Sequence, residues 1–240
     1  MIATVVNVIL VLVGSALGLL LKRLISQRMI AVLTQALGLC VAGVGISSLI
    51  GTQNMLCVIV CMVVGTVIGQ GIDIEARLER GGEWLRQRAD RGNPNSRFTE
   101  SFVSAALLFC VGAMAITGSI EAGLNQNYDI LISKGVIDGV SAISFAATMG
   151  IGVAFSVIPL FLYQGLVTLL AGWVGPYLPQ EVIVEMSAVG GALIVGIAIN
   201  MLGLGKEKIK VGNMLPAMFL PLIYLPVSQW VGEILQNLQL

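Results

Sequence analysis

The feature that most constrains this chain is a succession of long apolar runs. A helix of about 20 mostly apolar residues is long enough to cross the hydrocarbon core of a bilayer. The first run extends from Ile2 to Leu21 without a charged residue. Hydrophobic side chains make up 57% of the 240 residues and charged side chains only 11%, whereas a soluble domain carries roughly 25% charged residues. The sequence therefore predicts an all-α integral membrane protein, with residues 1–240 forming a single polytopic membrane domain.

Breaks of glycine, proline and charge divide the chain into eight predicted transmembrane helices. Their ranges are 2–22, 29–50, 54–72, 101–118, 136–157, 159–177, 182–203 and 212–232. The boundary between the fifth and sixth spans depends chiefly on Pro159, and a seven-span alternative would join them. We interpret the first run as a span rather than a signal peptide, because no basic residue precedes it.

The basic residues favour the eight-span count, because lysine and arginine are retained in cytoplasmic loops. With eight spans, twelve of the thirteen basic residues fall in the loops after spans one, three and seven, which lie on one side. Lys134 alone lies on the other side. We therefore expect both termini on the external face.

The one substantial hydrophilic segment, residues 73–100, is predicted to be a cytoplasmic amphipathic loop. It begins as a helical continuation of span three and ends at Asn93-Pro94-Asn95. A solvated loop that sets the topology is the simplest interpretation. Contact with a regulator or with anionic lipid is the alternative.

Two of the predicted helices resemble each other. SQRMIAVLTQALGLCVAGVGISSL matches PQEVIVEMSAVGGALIVGIAINML at an offset of 153 residues, with Gly38 aligned to Gly191 and Gly43 to Gly196. Span two would run outward and span seven inward, so the related helices cross the bilayer in opposite senses. This pattern predicts an inverted-topology repeat of spans one to three against spans six to eight, which is frequent in secondary transporters.

Span five carries the candidate ion-binding residues. In SKGVIDGVSAISFAATMGIGVAFS, one helical face is predicted to carry polar side chains at Lys134, Asp138, Ser141, Thr148 and Ser156. An ionised carboxylate inside a membrane costs roughly 2.5 to 3.5 kcal/mol on insertion scales, so it should face protein or water and find a partner. We hypothesise that Asp138 binds a cation or proton and that the hydroxyls line a hydrated path. A Lys134–Asp138 pair that merely ends a helix near the outer interface is the alternative.

Three further polar residues complete the predicted site for a solute or ion. Asn200 and Ser47 occupy equivalent positions of the two related helices and are expected to flank one site, and Gln164 lies close to the middle of span six. Hydrogen bonding between helices is the alternative role for all three. Gly14 and Gly18 in span one predict a helix contact face, for which a homodimer is one interpretation.

No catalytic residue, metal site or cofactor is predicted. The chain has no histidine, and its four cysteines fall in apolar runs, where free cysteine usually behaves as a small hydrophobe. Cys57 and Cys61 share a helix face that could suit a soft metal. Because no nucleotide cradle and no nucleophile with its base are recognisable, we expect neither an enzyme nor a nucleic-acid-binding protein.

At FCVGAMAITGSIEAGL, KGVIDGVSAISFAATMGIGVAFSVIPLFLYQG and KIKVGNMLPA the chain resembles the YqgA-like family of bacterial inner-membrane proteins, a domain-of-unknown-function group. The resemblance extends over nearly the whole chain. It implies a multi-pass protein of the bacterial inner membrane, and it carries over no substrate-binding residues.

Taken with the repeat, these features predict a secondary transporter of a small polar solute or ion, with the site near the midplane between the repeats. Its expected partners are the lipid bilayer and that solute. An ion channel or a non-transporting membrane scaffold is the alternative.

Overall fold

The computed structural model describes residues 1–22, 24, 26–89, 97–110, 113–175 and 178–238. Over these residues the chain forms helices and no strands. The first half contains α1 (Ile2–Lys22), α2 (Gln27–Ile50), α3 (Met55–Ile72), α4 (Ile74–Ala89), α5 (Phe98–Cys110) and α6 (Ala113–Leu124). The second half contains α7 (Asp129–Met149), α8 (Gly152–Phe155), α9 (Val157–Leu169), α10 (Ala171–Val174), α11 (Gln180–Leu202), a 3₁₀ helix (Val211–Phe219) and α12 (Pro221–Leu238).

Six helices in the described part of the chain are long and apolar enough to cross a membrane. They are α1, α2, α3, α7, α11 and the continuous segment Gly152–Leu169, which joins α8 to α9. Two bent pairs raise the number to eight if each pair counts as one span: α5 with α6, bent by 58°, and the 3₁₀ helix with α12, bent by 45°. The prediction of an all-α membrane protein is therefore confirmed, with six to eight candidate spans.

The fifth span begins and ends earlier than predicted. The predicted range was 136–157, whereas α7 extends over Asp129–Met149 and ends at Gly150. Gly150 has a φ of 103°, a conformation that side chains other than glycine rarely adopt. Ser156 consequently belongs to the next span, at the junction of α8 and α9, so its predicted position on the same helical face as Asp138 is wrong. The boundary between the two spans lies at Gly150 and not at Pro159.

The predicted spans 101–118 and 212–232 are broken rather than straight. The first is divided between α5 and α6. In the second, Pro216 lies inside the 3₁₀ helix and Pro221 begins α12. Proline lacks the N–H that an α-helix interior requires, so the chain takes the tighter helix and then bends.

Glycines set the contact between α1 and α7, which run in the same direction. A Cβ at Gly14 would lie 2.1 Å from the Gly139 carbonyl oxygen, and one at Gly18 would lie 2.2 Å from the Ile143 carbonyl oxygen. Only glycine permits so close an approach, so the predicted helix contact face is confirmed. Because α7 of the same chain covers both glycines, their interpretation as a dimer contact is wrong.

A second glycine contact joins α2 to α11, which run in opposite directions. A Cβ at Gly45 would lie 2.8 Å from the Gly191 carbonyl oxygen, and a Cβ at Gly191 would lie 2.6 Å from the Gly45 carbonyl oxygen. The α11 helix is the central one. In its most apolar stretch of 18 residues, 72% of the residues are buried, compared with 28–50% in the other five unbroken spans. In a similar contact, α3 packs on the 3₁₀ helix through Gly65 and Ala217.

The hydrophilic segment predicted at 73–100 is mostly helical. Its helix, α4, lies at the end of the bundle where α1 and α3 end, and Gly82 packs against Thr99. The Glu75 carboxylate accepts a hydrogen bond of 2.5 Å from the Gly212 N–H, which ties α4 to the 3₁₀ helix. Residues 90–96 of the predicted loop lie outside the described residues.

Candidate functional site

A buried ion pair lies in the middle part of α7. Lys134 Nζ donates to Asp138 Oδ2, and each residue is only 6% exposed. Lys134 also donates a hydrogen bond of 2.7 Å to the Phe109 carbonyl oxygen in the last turn of α5. Because α7 starts at Asp129, Asp138 lies nine residues into a helix of 21. The pair therefore does not end a helix, contrary to the structural alternative considered from the sequence.

A chain of side-chain amides extends from this pair to two other helices. Asn7 Nδ2 of α1 donates to Asp138 Oδ2 at 3.1 Å and to Gln164 Oε1 of α9 at 3.3 Å. Both amide side chains are completely buried. Gln164 thus joins Lys134 and Asp138, as the sequence predicted for this site. Asn7 is not among the predicted site residues, although an amide within a long apolar run was a recognisable signal.

The ion pair forms part of the wall of a cavity of about 480 Å³, a size typical of small-molecule sites. The cavity lies among α2, α5, α7 and α11. Its polar lining, besides the pair, consists of four serines, Ser48, Ser141, Ser144 and Ser187. Apolar side chains, including Phe145 and Ile194, supply most of the remaining wall. The structure therefore brings the predicted residues Lys134, Asp138 and Ser141 together around one space.

The remaining predicted residues lie elsewhere. Thr148 is buried farther along α7, where its hydroxyl donates to the Ser144 carbonyl oxygen at 2.9 Å. Ser47 is exposed on α2, whereas its neighbour Ser48 lines the cavity. Asn200 holds both the N–H and the carbonyl oxygen of Ile209, at 2.8 Å each. It lines a different groove, beside α4, so the structure does not bring Asn200 and Ser47 together with Asp138.

Several buried polar atoms have no hydrogen-bond partner within the described part of the protein. They are Thr4 Oγ1, Asn7 Oδ1, Ser15 Oγ, Ser119 Oγ, Gln164 Nε2 and Thr168 Oγ1. Two of these atoms belong to the amides attached to the ion pair. An unsatisfied buried group of this kind costs about 1–3 kcal/mol, and native proteins pair such groups with protein or with ordered water.

A second buried carboxylate has a different environment. Glu185 of α11 is 2% exposed and accepts hydrogen bonds from Thr52 Oγ1 at 2.5 Å, from Gln53 N at 2.8 Å and from Asn54 N at 3.0 Å. All three donors lie in the connection between α2 and α3. Glu185 therefore fixes that connection to the central helix. An acidic residue inside an apolar run was the available signal, but its partners could not be read from the sequence.

The thiols of Cys57 and Cys61 lie 3.8 Å apart in α3, and both side chains are buried. In the part of the chain that the structure describes, no group of three or more cysteine, aspartate or glutamate side chains is arranged to hold a metal ion. The pair of thiols is packed among the apolar residues of the core.

Helices of membrane-spanning length around a buried ion pair define the class of this chain: a multi-pass α-helical membrane protein. A family model described as "Protein of unknown function (DUF554)" matches residues 2–225, and the chain belongs to that family. It is 30% identical over 238 residues to the "Uncharacterized membrane protein YdfK" of Bacillus subtilis (strain 168), covering 97% of this chain and 99% of YdfK.

A second relative is the "Uncharacterized protein YqgA" of Escherichia coli (strain K12), which is 28% identical over 218 residues, covering 90% of this chain and 92% of YqgA. The resemblance to the YqgA-like family seen in the sequence is therefore confirmed. No solved structure gives a significant match.

Proposed function

We propose that this protein is a secondary transporter of a small polar solute or ion in the bacterial inner membrane, and that the Lys134–Asp138 pair forms part of its binding site. One observation carries the proposal: the pair lies in the wall of a cavity of about 480 Å³ within the membrane-spanning helices. Ionisable residues inside such helices are rare and typically mark solute or ion pathways. A pair needed only for packing would require no cavity beside it.

The lining of the cavity fits a small polar solute. Four serine hydroxyls can each donate and accept a hydrogen bond, and the ion pair offers a donor to an anionic group and an acceptor to a cationic one. Apolar side chains supply most of the rest of the wall, and three of them, Val44, Ile137 and Val140, are more than half exposed. Sites of this composition bind by shape and by a few fixed polar contacts, so we propose transport without chemical change of the solute.

The packing of α2 on α11 supports an inverted repeat. Gly38 packs on the Leu202 side chain, with 3.0 Å from a built Cβ to Leu202 Cγ, and Gly191 packs on Leu49, with 2.7 Å to its backbone nitrogen. The two contacts are equivalent under the 153-residue offset, because Gly38 aligns with Gly191 and Leu49 aligns with Leu202. Two related helices that cross antiparallel through equivalent contacts are expected at the centre of such a repeat. The cavity lies beside this crossing, with Ser48 on one helix and Ser187 on the other.

The distribution of basic residues supports the orientation. Lys208 contacts Glu100 at 3.1 Å and Arg97 pairs with the same carboxylate. Lys22 lies at the neighbouring end of α1, where a Cβ on Gly150 would be 3.0 Å from its Nζ. These contacts group the ends of α1, α5 and α7 with α4. We propose that this end faces the cytoplasm and that both termini are external, in accordance with the retention of basic loops.

The proposal is tested first by a thermal-shift screen of ions, amino acids, organic acids and sugars on the purified protein, since a bound ligand stabilises the folded state. Each hit is then measured for uptake into reconstituted vesicles. We expect saturable uptake that is reduced by Asp138→Asn and by Ser141→Leu, which fills the cavity. Leu169→Ala, on an outward-facing side chain of α9 that is 68% exposed, is the matched control.

The outcomes separate the candidate functions. A channel predicts a conductance that does not saturate with solute in the same range. A scaffold predicts no hit in the screen and no uptake. Saturable uptake that both cavity variants leave unchanged would remove this cavity from the site.

A further inference from the structure

Five of the buried polar atoms without a partner lie around the outer side of the ion pair. Their residues are distributed over three helices: Thr4 and Asn7 on α1, Ser119 on α6, and Gln164 and Thr168 on α9. None of the five is more than 7% exposed. The sixth such residue, Ser15, lies eight residues beyond Asn7 toward the other end of α1, and it does not belong to this group.

The helix directions arrange four of these residues in line. Asn7 and Gln164 are bonded to each other, and α1 runs antiparallel to α9. Thr4 lies one turn before Asn7, near the start of α1, and Thr168 lies one turn after Gln164, near the end of α9. Both threonines therefore lie on the same side of the amide pair, at the end of the bundle that carries the 125–128 connection. Along the helix axes, Thr4 is about 4.5 Å from Asn7 and Thr168 is about 6 Å from Gln164.

Ser119 joins the same group from α6. One turn after it, Gly123 packs on α9, where a built Cβ would lie 2.3 Å from the Thr168 carbonyl oxygen. Since α6 and α9 run in the same direction, Ser119 lies at about the level of Gln164. We call these five residues the outer polar column. Its inner end is Asp138, which accepts the hydrogen bond from Asn7.

We propose that water fills the outer polar column and that Asp138 exchanges a proton with the external face through this water. The proposal rests on the proposed transport function and names its coupling ion. Hydroxyl and amide groups at this depth need partners that neither the described protein nor lipid supplies. Water is small enough to enter, and a polar site with several donors and acceptors is where buried water is held.

The proton transfer has a defined consequence for the cavity. A proton delivered by the water chain converts the Asp138 carboxylate into a neutral carboxylic acid, and the water chain is restored from the external solution. Lys134 keeps its hydrogen bond to the Phe109 carbonyl oxygen but loses its counter-ion. Among the described residues lining the cavity, Lys134 is then the charged one. A small anion is the solute class that restores neutrality, so the proton and the anion would be carried together.

Few other titratable groups surround Asp138. Lys134 is on the same helix, and Cys110 at the end of α5 is close enough to interact electrostatically with both. Cys40 of α2 lines the same cavity, and Tyr163 of α9 is close to Cys110. Asn7 of α1 contributes an amide and Ser187 of α11 contributes a hydroxyl, whereas the buried carboxylate of α11, Glu185, is bonded to the α2–α3 connection. Thiols and phenols are neutral near pH 7 and the Lys134 ammonium has no free electron pair, so the Asp138 carboxylate is the proton acceptor among these groups.

The test measures whether external water reaches the column. Thr168→Cys is compared with Leu169→Cys, its neighbour on the outward-facing side of α9, in sealed vesicles treated with methyl methanethiosulfonate. The thiolate attacks the sulfenyl sulfur, a methyl disulfide forms and methanesulfinate leaves. Because the reagent crosses membranes, it reaches a cysteine from either side. The pH dependence of the reaction rate therefore shows which solution, external or lumenal, is in contact with that cysteine. Peptide-resolved mass spectrometry separates the introduced cysteine from the native ones.

We expect the rate at Thr168→Cys to rise about tenfold when the external pH is raised from about 6.5 to 7.5 with the lumen clamped, because thiolate is the reactive form. Asn127→Cys in the 125–128 connection should respond in the same way, and Lys206→Cys in the opposite loop should follow the lumen pH. Leu169→Cys should react slowly and follow neither. The proposal is overturned if the cysteine of Thr168→Cys reacts as slowly as that of Leu169→Cys, or if its reaction rate depends on the lumen pH. Thr4→Cys repeats the test on α1 if Thr168→Cys does not fold.

A second measurement tests the anion. Asp138→Asn reproduces the neutral carboxyl group, so acetate and succinate should raise the Tm of this variant more than that of the wild type at pH 7.5, while tetramethylammonium should not. Equal shifts in both proteins overturn the coupling to an anion. Neither measurement uses a solute gradient. If the column proves to be dry, a positive uptake result still supports the transport function. If no uptake is found, evidence that the column is hydrated still stands.

Discussion

Asp138 and Glu185 are both carboxylates buried in membrane-spanning helices, yet their partners differ. Glu185 accepts three hydrogen bonds from one short connection, at 2.5 to 3.0 Å, and so fixes that connection in place. Asp138 is held by an ammonium and an amide, beside a cavity and a group of polar atoms without partners.

The difference shows that burial of a charge in a membrane protein does not by itself indicate transport. A carboxylate whose donors belong to the backbone of a fixed connection has a structural role, since moving it would expose several donors at once. A carboxylate paired with one flexible side chain, with space beside it, can exchange that partner for a ligand or a proton. The surroundings of the charge therefore decide between the two roles.

The largest expected effect comes from separating the charges of the pair. Lys134→Met leaves Asp138 buried without its counter-ion, and we expect a loss of about 3–5 kcal/mol in the free energy of unfolding. The double variant Lys134→Met/Asp138→Leu should regain most of that stability while remaining inactive in uptake, because two apolar side chains can replace a buried pair. Unfolding in detergent measures the first effect. A loss of under about 1 kcal/mol, the value for exposed pairs, would contradict the burial of the pair.

A smaller loss is expected at Glu185. Glu185→Ala removes the acceptor for three donors, but Asn54 N keeps its hydrogen bond of 3.1 Å to Thr52 Oγ1 and the Thr52 hydroxyl can rotate. Gln53 N is then the donor left without a partner, so the expected loss is about 1–3 kcal/mol. The thermal-unfolding midpoint should fall clearly, with uptake per folded molecule reduced much less than by Asp138→Asn. Glu181→Ala, one turn earlier on the exposed side of α11, is the control and should change little. A loss of uptake at an unchanged midpoint would assign Glu185 to the transport path instead.

The sequence predicted the contacts that depend on the spacing of residues along one helix. Lys134 and Asp138 are one turn apart on any helix, so their pairing was foreseeable, as was the close contact made by Gly14 and Gly18. The distant partners were not, because Asn7 lies 131 residues from Asp138 and Gln53, in the α2–α3 connection, lies 132 residues from Glu185. Contacts between residues so far apart in the sequence depend on how the helices pack.

A third prediction concerns the close approach of α1 to α7. Gly14→Ala places a methyl group where the Gly139 carbonyl oxygen would be 2.1 Å away, so the helices must separate. We expect a loss of about 1–3 kcal/mol, the usual cost of overpacking, and weaker coupling of Asn7 to Asp138. Gly43→Ala is the matched control, since nothing lies within 4 Å of its Cβ position and alanine favours a helix by up to about 1 kcal/mol. Equal midpoints for the two variants would contradict the packing.

Helix boundaries account for most of the sequence-based errors. The glycine at 150 was expected to lie inside a span that continued to residue 157, because the apolar run continues without a charge from Gly139 to Tyr163. In a membrane the usual polar signal at a helix end is missing, so a positive φ at one glycine sets the boundary. The shift of α7 toward the N-terminus moved Asp138 from an expected helix end to the middle of the helix. It therefore changed the functional interpretation of the pair.

The smallest expected effect is at a third carboxylate, Glu75, which lies outside the membrane-spanning segments. Burial raises the pKa of Glu75, although the N–H of Gly212 opposes this by favouring the charged form. A raised pKa in the folded state means that the protonated form fits the fold better than the charged form. Its contribution to stability is therefore fully present below the ordinary pKa and is lost as the pH rises through the raised value. Glu75→Gln keeps an acceptor for Gly212 and removes the charge, so its thermal midpoint should decline less than that of the wild type between about pH 4.5 and 7. Parallel pH profiles for the two proteins would show instead that water screens Glu75, and that α4 is held less tightly against the 3₁₀ helix than the 2.5 Å hydrogen bond indicates.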